Sequence, residues 1–146
     1  MTLTDREKIL LPMMMSAFVT PFTGSALTLS LPDIGLAYGV SANELGWVLE
    51  IFLLASIVFL LPMGKMADRF GKRRIFLLGT TLFTLSSALC AVMPDMGFLL
   101  VARALQGLAA SMLYATNMSI VALCFPTTQR GRALGWMVSM VYVGLA

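Results

Sequence analysis

Apolar residues fall into long blocks separated by short polar segments. Blocks at 9–31, 45–63, 75–93 and 98–124 are each close to or above the ~20 residues that carry an α-helix across a bilayer, and a fifth block covers 133–146. The pattern predicts an all-α membrane protein with four complete spans and the start of a fifth. The fifth block reaches only about 21 Å at 1.5 Å per residue, against a hydrocarbon core of about 30 Å. On this reading the sequence is cut inside a span.

Local signals refine the elements. Pro12 is expected in the first turn of helix 1, where its missing N–H costs little, and Pro21 should kink the helix further on. Ser16, Thr20, Gly24 and Thr28 recur every fourth residue with Thr23 beside them, giving one small, polar stripe. Such a stripe serves either helix packing or a water-filled pathway. Residues 32–44 read as an outer loop ending in Ser41-x-x-Glu44, a capping box that opens helix 2. Trp47 sits where interfacial anchors occur, and Pro62 with Gly64 is expected to close helix 2. Helix 3 carries Thr80, Thr81, Thr84, Ser86 and Ser87, hydroxyls that can bond back to their own helix and are assigned no function.

Composition supports the membrane reading. The chain is 59% hydrophobic and only 12% charged, with mean hydropathy +0.90. A soluble domain carries about twice that charge fraction. A signal peptide is excluded because no small-residue cleavage site and polar mature domain follow the first apolar run. Net charge is +3, but the bases lie in a few short loops, so nucleic acid is not an expected partner. Nine of the ten Lys/Arg residues (Arg6, Lys8, Lys65, Arg69, Lys72, Arg73, Arg74, Arg130 and Arg132) fall in segments on one side of the bilayer. Short basic loops stay in the cytoplasm, so the N-terminus is expected inside, in the cytoplasmic (inner) membrane.

The chemistry available is narrow. His is absent, and Asp33, Asp68 and Asp95 lie in different loops, so neither a metal site, a cofactor nor a catalytic set is expected, and the chain reads as no enzyme. Cys90 and Cys124 fall in apolar blocks and read as small hydrophobes. Glu50 and Arg103 are the carboxylate and the base inside spans, where charge is expensive and functional by default. Each lies about five residues into a helix that starts at the outer face, roughly 8 Å deep. They can pair if helices 2 and 4 are neighbours. Otherwise Arg103 snorkels outward and Glu50 faces a polar vestibule. Asn117 is an uncharged polar group deeper in helix 4.

The most charged stretch is Gly64-Lys65-Met66-Ala67-Asp68-Arg69-Phe70-Gly71-Lys72-Arg73-Arg74, in which Asp68 can pair with Arg69 or Arg73. It resembles the Gly-x-Leu-Ala-Asp-Arg-x-Gly-Arg-Lys signature between helices 2 and 3 of the major facilitator superfamily of secondary transporters. Leu99-x-x-x-Arg103-x-x-Gln106-Gly107-x-Ala109-Ala110 is similar to that family's helix 4 signature, with Ala109 replacing a Gly. Arg130-Gly131-Arg132-Ala133-Leu134-Gly135 resembles the approach to the antiporter signature of helix 5, whose first Gly would be Gly144.

The resemblance implies most of one six-helix half of such a transporter, residues 1–146, with a second half missing. It implies a conformational latch at Gly64, Asp68, Arg69, Gly71 and Arg73, and proton coupling through Arg103 with Glu50. Thr20, Thr23, Thr28, Gln106 and Asn117 would line the cavity. The chain departs from the fourteen-helix drug/proton antiporters in helix 1, where Thr23 stands for their Asp and Thr28 for their Asn. The function implied is proton-driven efflux of small amphipathic compounds by alternating access, with protons and membrane lipids as further partners. A solute symporter or facilitator of the same family is the alternative, and a non-transporting membrane scaffold a more distant one.

Overall fold

The computed structural model describes residues 3–92 and 94–146, with side chains from residue 9 onward. The side chains of Arg6 and Lys8, and Met93 at the expected end of helix 3, lie outside the described residues. The described residues form five α-helices in the order α1 Leu3–Tyr38, α2 Ala42–Phe70, α3 Lys72–Val92, α4 Met96–Cys124 and α5 Thr127–Leu145. Four of these, α1 to α4, are long and apolar enough to cross a membrane.

The helices are longer than the apolar blocks. α1 does not stop at residue 31, and the expected outer loop is helical through Asp33 and Gly35 to Tyr38. Pro12, Pro21 and Pro32 all lie inside it, so Pro12 is not in a first turn. A proline forfeits one intrahelical bond, but breaking the helix in hydrocarbon would strand several polar groups. Likewise α2 does not close at Pro62 and Gly64. It runs on through the charged stretch to Phe70. Water solvates those charges whether or not the backbone is helical, so the end of the apolar block need not end the helix.

The corners between helices are therefore short. Gly39, at φ 63°, turns the chain out of α1, and Ser41 caps α2. The capping box forms, with Ser41 N–H donating to Glu44 Oε2 at 2.8 Å and Glu44 N–H donating to Ser41 Oγ at 3.5 Å. Gly71, at φ 97°, is the single residue between α2 and α3, a backbone angle that a side chain would strain. Pro126 precedes α5, which opens at Thr127 rather than near 133 because proline's fixed φ suits a helix start. Arg130 Nε donates to the Phe125 carbonyl at 3.0 Å across that corner.

The chain divides into two compact units. One holds residues 1–27 and 117–146, the other residues 28–116. In the second, Phe52, Phe83, Ala109, Ala110 and Leu113 form a core flanked by Phe76 and Leu82. Gly79 lets α3 approach α4: a Cβ there would lie 2.8 Å from Met112 Cβ and 3.3 Å from the Ala109 carbonyl oxygen. Gly107 brings α4 against the backbone of α2 at Phe52. In the first unit Gly144 of α5 lies against the Phe18 carbonyl, and a Cβ would sit 3.0 Å from Pro21 Cγ. Small residues replace the missing hydrophobic drive by letting helix backbones touch.

Candidate functional site

The second unit seals a cation inside it. Arg103, on α4, is 2% exposed. Its Nε donates to the Val48 carbonyl of α2 at 3.2 Å. Its guanidinium lies 4.5 Å from the centre of the Phe52 ring, also on α2. A second nitrogen, Nη1, donates to Gln106 Oε1, one turn along α4. Gln106 is itself buried and passes the chain on, its Nε2 donating to Ser87 Oγ of α3 at 2.6 Å. Ser87 then donates to the Phe83 carbonyl at 2.8 Å. One hydrogen-bonded run thus crosses three helices and starts on a guanidinium that stays charged.

Arg103 therefore does not snorkel. It also does not pair with Glu50, which is exposed two residues from buried Val48 and so on another face of α2. The Asp68–Lys72 bridge is the ion pair found among the described residues. One carbonyl oxygen, one amide oxygen and a ring face take the place of a counter-ion around Arg103. Guanidinium suits this, since its planar fork binds several acceptors and stacks on aromatics. Sequence alone named Arg103 and Gln106 but missed Val48, Phe52 and Ser87. Val48 contributes only a backbone oxygen, which no residue type advertises.

The charged α2–α3 connection is arranged differently from expectation. Asp68 pairs with Lys72, at 3.3 Å, and not with Arg69 or Arg73. The turn at Gly71 brings Lys72, the first residue of α3, beside Asp68 near the end of α2. Arg69 instead lies 5.5 Å from the Phe70 ring centre, and Arg69 and Arg73 are exposed. Gly64 is half-buried within α2, and nothing lies within 4 Å of the Cβ position at either Gly64 or Gly71.

The polar positions of α1 differ in burial. Thr20 is buried and donates to the Ser16 carbonyl at 2.8 Å, while Thr23 donates to the Val19 carbonyl at 2.8 Å. Thr28 is exposed. Within the first unit Asn117, 6% exposed, joins α4 to α1. Its Nδ2 donates to Ser16 Oγ at 3.1 Å, and Ser16 Oγ donates to the Met13 carbonyl at 2.8 Å. A shallow concavity of about 400 Å³ lies on α5, lined by Arg132, Gly135, Trp136 and Ser139. Thr20, Thr23, Thr28, Gln106 and Asn117 do not line it.

Membrane-length helices with a charged side chain sealed among them define a multi-span integral membrane protein. Residues 13–146 match the family description Major Facilitator Superfamily, and the chain belongs to that family. It is similar to the riboflavin transporter RibZ of Clostridioides difficile, 29% identical over 93% of this chain and 30% of that protein. The multidrug resistance protein Stp of Mycobacterium tuberculosis is 34% identical over 81% of this chain and 22% of its own length. The puromycin resistance protein of Streptomyces alboniger is 37% identical over 77% of this chain and 22% of its own length. A solved bacterial homologue of the human lysosomal transporter Spinster, inward-facing and unoccupied, superposes with TM-score 0.90 at 20% identity, over 99% of this chain and 30% of that one. The chain thus spans under a third of the length of these relatives. They are transporters and resistance proteins, and the family is one of transporters, not enzymes.

Proposed function

We propose that the chain serves proton-driven efflux of small amphipathic compounds by alternating access, as part of a secondary transporter with its N-terminus inside the cytoplasmic membrane. The observation that carries the reading is Arg103, a charge held at 2% exposure without a carboxylate partner among the described residues. Keeping a charge in a span is expensive, and such charges mark ion or substrate pathways. A guanidinium of this kind favours the ionised form of any acid brought near it. It can therefore govern when a carboxylate releases its proton. Glu50 is the carboxylate proposed for that exchange, and reaching Arg103 would require α2 to rotate or a water to intervene. The relatives named for puromycin and multidrug resistance support small organic cargo and an outward direction.

The α2–α3 connection is proposed as the conformational latch, with Asp68, Arg69 and Arg73 as its charged members, Gly71 as its turn and Gly64 within the end of α2. Thr20, Thr23, Thr28, Gln106 and Asn117 remain proposed cavity positions, of which the buried Thr20, Gln106 and Asn117 would open in another state of the transport cycle. The relative named as a riboflavin transporter supports a second reading, a symporter or facilitator for one defined solute.

Inside-out vesicles carrying the protein distinguish these. Under an imposed pH gradient the efflux reading expects uphill uptake of a lipophilic dye into the vesicles, abolished by collapsing the gradient. Arg103→Gln and Glu50→Gln should each lose uphill transport, and Glu50→Gln should retain downhill exchange. Uphill transport at the native rate in Glu50→Gln removes that residue from the mechanism, and gradient-independent transport removes proton coupling altogether.

A further inference from the structure

We infer that Ser87 is a positioning residue for Arg103, holding Gln106 so that its amide oxygen stays on the guanidinium. By residue type Ser87 does not stand out on α3. Thr80, Thr81, Thr84 and Ser86 each donate to a carbonyl of their own helix, those of Phe76, Leu78, Thr80 and Leu82. Ser87 does the same toward the Phe83 carbonyl at 2.8 Å, but its Oγ also accepts from Gln106 Nε2 of α4 at 2.6 Å. A hydroxyl has one hydrogen and two lone pairs. The bond to Phe83 commits the hydrogen, so toward α4 Ser87 can only accept. It therefore takes the nitrogen end of the amide and rejects the oxygen end.

Arg103 has the opposite character, since a guanidinium only donates. Gln106 lies between an acceptor and a donor, and one orientation of its amide satisfies both. The last torsion of a glutamine is soft, so one contact alone leaves the amide free to turn. Gln106 is 1% exposed, and a buried donor without an acceptor is costly. With the Ser87 hydroxyl removed, the amide turns to satisfy its nitrogen and draws Oε1 off Arg103. Among the hydrogen bonds of the described residues, Ser87 reaches Arg103 through Gln106. The effect on transport rests on the proposed role of Arg103 in proton coupling; the positioning itself does not.

The test is a double-mutant cycle on the purified intact protein, with dye uptake into inside-out vesicles beside it. Ser87→Ala and Arg103→Gln are melted singly and together, with Gln106 present and again in Gln106→Ala. With Gln106 present the two changes should be coupled by about five-fold in the folding equilibrium, the worth of one neutral hydrogen bond. In Gln106→Ala they should add. Additive effects with Gln106 present, or coupling that survives its loss, overturn the inference. In vesicles the readout is the ratio of uphill accumulation to downhill exchange, which a smaller folded fraction leaves unchanged. Ser87→Thr and Ser87→Val have the same shape and differ in the hydroxyl. Ser87→Thr should keep the native ratio and Ser87→Val should lower it about five-fold. Equal ratios in the two overturn the inference, and this pair decides it where Arg103→Gln does not fold. Ser86→Ala removes a buried hydroxyl bonded within α3 and should leave the ratio native; a matching fall there overturns the inference too. A native protein with no uphill transport removes proton coupling and leaves the melting cycle to decide on Ser87.

Discussion

Gly107→Ala places one methyl group at the closest approach of α4 to α2. The new Cβ would overlap the Phe52 carbonyl oxygen and lie 2.8 Å from Ala55 Cβ. Carbon atoms rest at about 3.5–4.0 Å, so the helices must part by about 1 Å. The obstacle is backbone and cannot swing aside. Forced repacking of this kind costs about 1–3 kcal/mol. A second loss follows one turn back, where Arg103 Nε meets the Val48 carbonyl at 3.2 Å. Opening the interface by about 1 Å takes that contact beyond hydrogen-bond range, and bonds to charged groups are worth about 1.5–3 kcal/mol. Against these, alanine gains about 1 kcal/mol of helix propensity over glycine. The net expectation is destabilisation by about 2–4 kcal/mol, a factor of about 30 to 1,000 in the folding equilibrium. Gly46→Ala is the control: Gly46 is also helical, and nothing lies within 4 Å of its Cβ position. It should be neutral or stabilising by up to about 1 kcal/mol. Thermal unfolding of the purified protein in detergent, followed by Trp47 and Trp136 fluorescence, compares the two. A Gly107→Ala protein that melts at or above the native temperature would falsify the close-contact argument.

Three further outcomes are expected. Ser87→Ala leaves Gln106 Nε2 facing an empty position, and the resulting unsatisfied buried donor should cost about 1–3 kcal/mol in the same melt; no loss would mean that Gln106 finds another acceptor. Asn117→Ala removes the link from α4 to Ser16, but Ser16 keeps its bond to the Met13 carbonyl, so the loss should stay near 1 kcal/mol; a loss several times larger would show that Asn117 anchors more of the unit. Asp68→Asn breaks an exposed i, i+4 pair and should change stability by less than about 0.5 kcal/mol. The same variant should slow transport at equal expression, and native transport rates would remove the latch role.

What the sequence revealed and what it concealed divide along a physical line. Partition between lipid and water is written in residue type, so the four long apolar helices and the charged α2–α3 connection were legible. Local chemistry was legible too: the Ser41–Glu44 capping box needs only two residues three positions apart, and it forms. Helix ends were not. The apolar block of α2 finishes near residue 63, yet the helix continues to Phe70, because the hydrophobic pattern records depth in the membrane and not backbone conformation. Ion pairing was misread as well: the non-helical turn at Gly71 brings Lys72, at the start of α3, beside Asp68 near the end of α2, and a run of five bases does not say which of them a turn selects.

Arg103 shows the deeper limit of residue patterns. A buried arginine prompts a search for a carboxylate, and Glu50 at matching depth was the natural choice. The fold instead surrounds the guanidinium with the Val48 carbonyl, the Gln106 amide and the Phe52 ring. Two consequences follow from that choice of partners. Neutral acceptors compensate a buried charge less fully than a carboxylate does, so the site keeps an electrostatic preference for an arriving anion or acid. The acceptors lie on α2 and α4, and Gln106 is held in turn by Ser87 of α3, so movement of α2, or of α3 through Gln106, alters how well the cation is satisfied. An arginine neutralised by a permanent salt bridge would respond weakly to either event. Arg103 can respond to both, which is what the proposed coupling of proton occupancy to helix rearrangement requires of it.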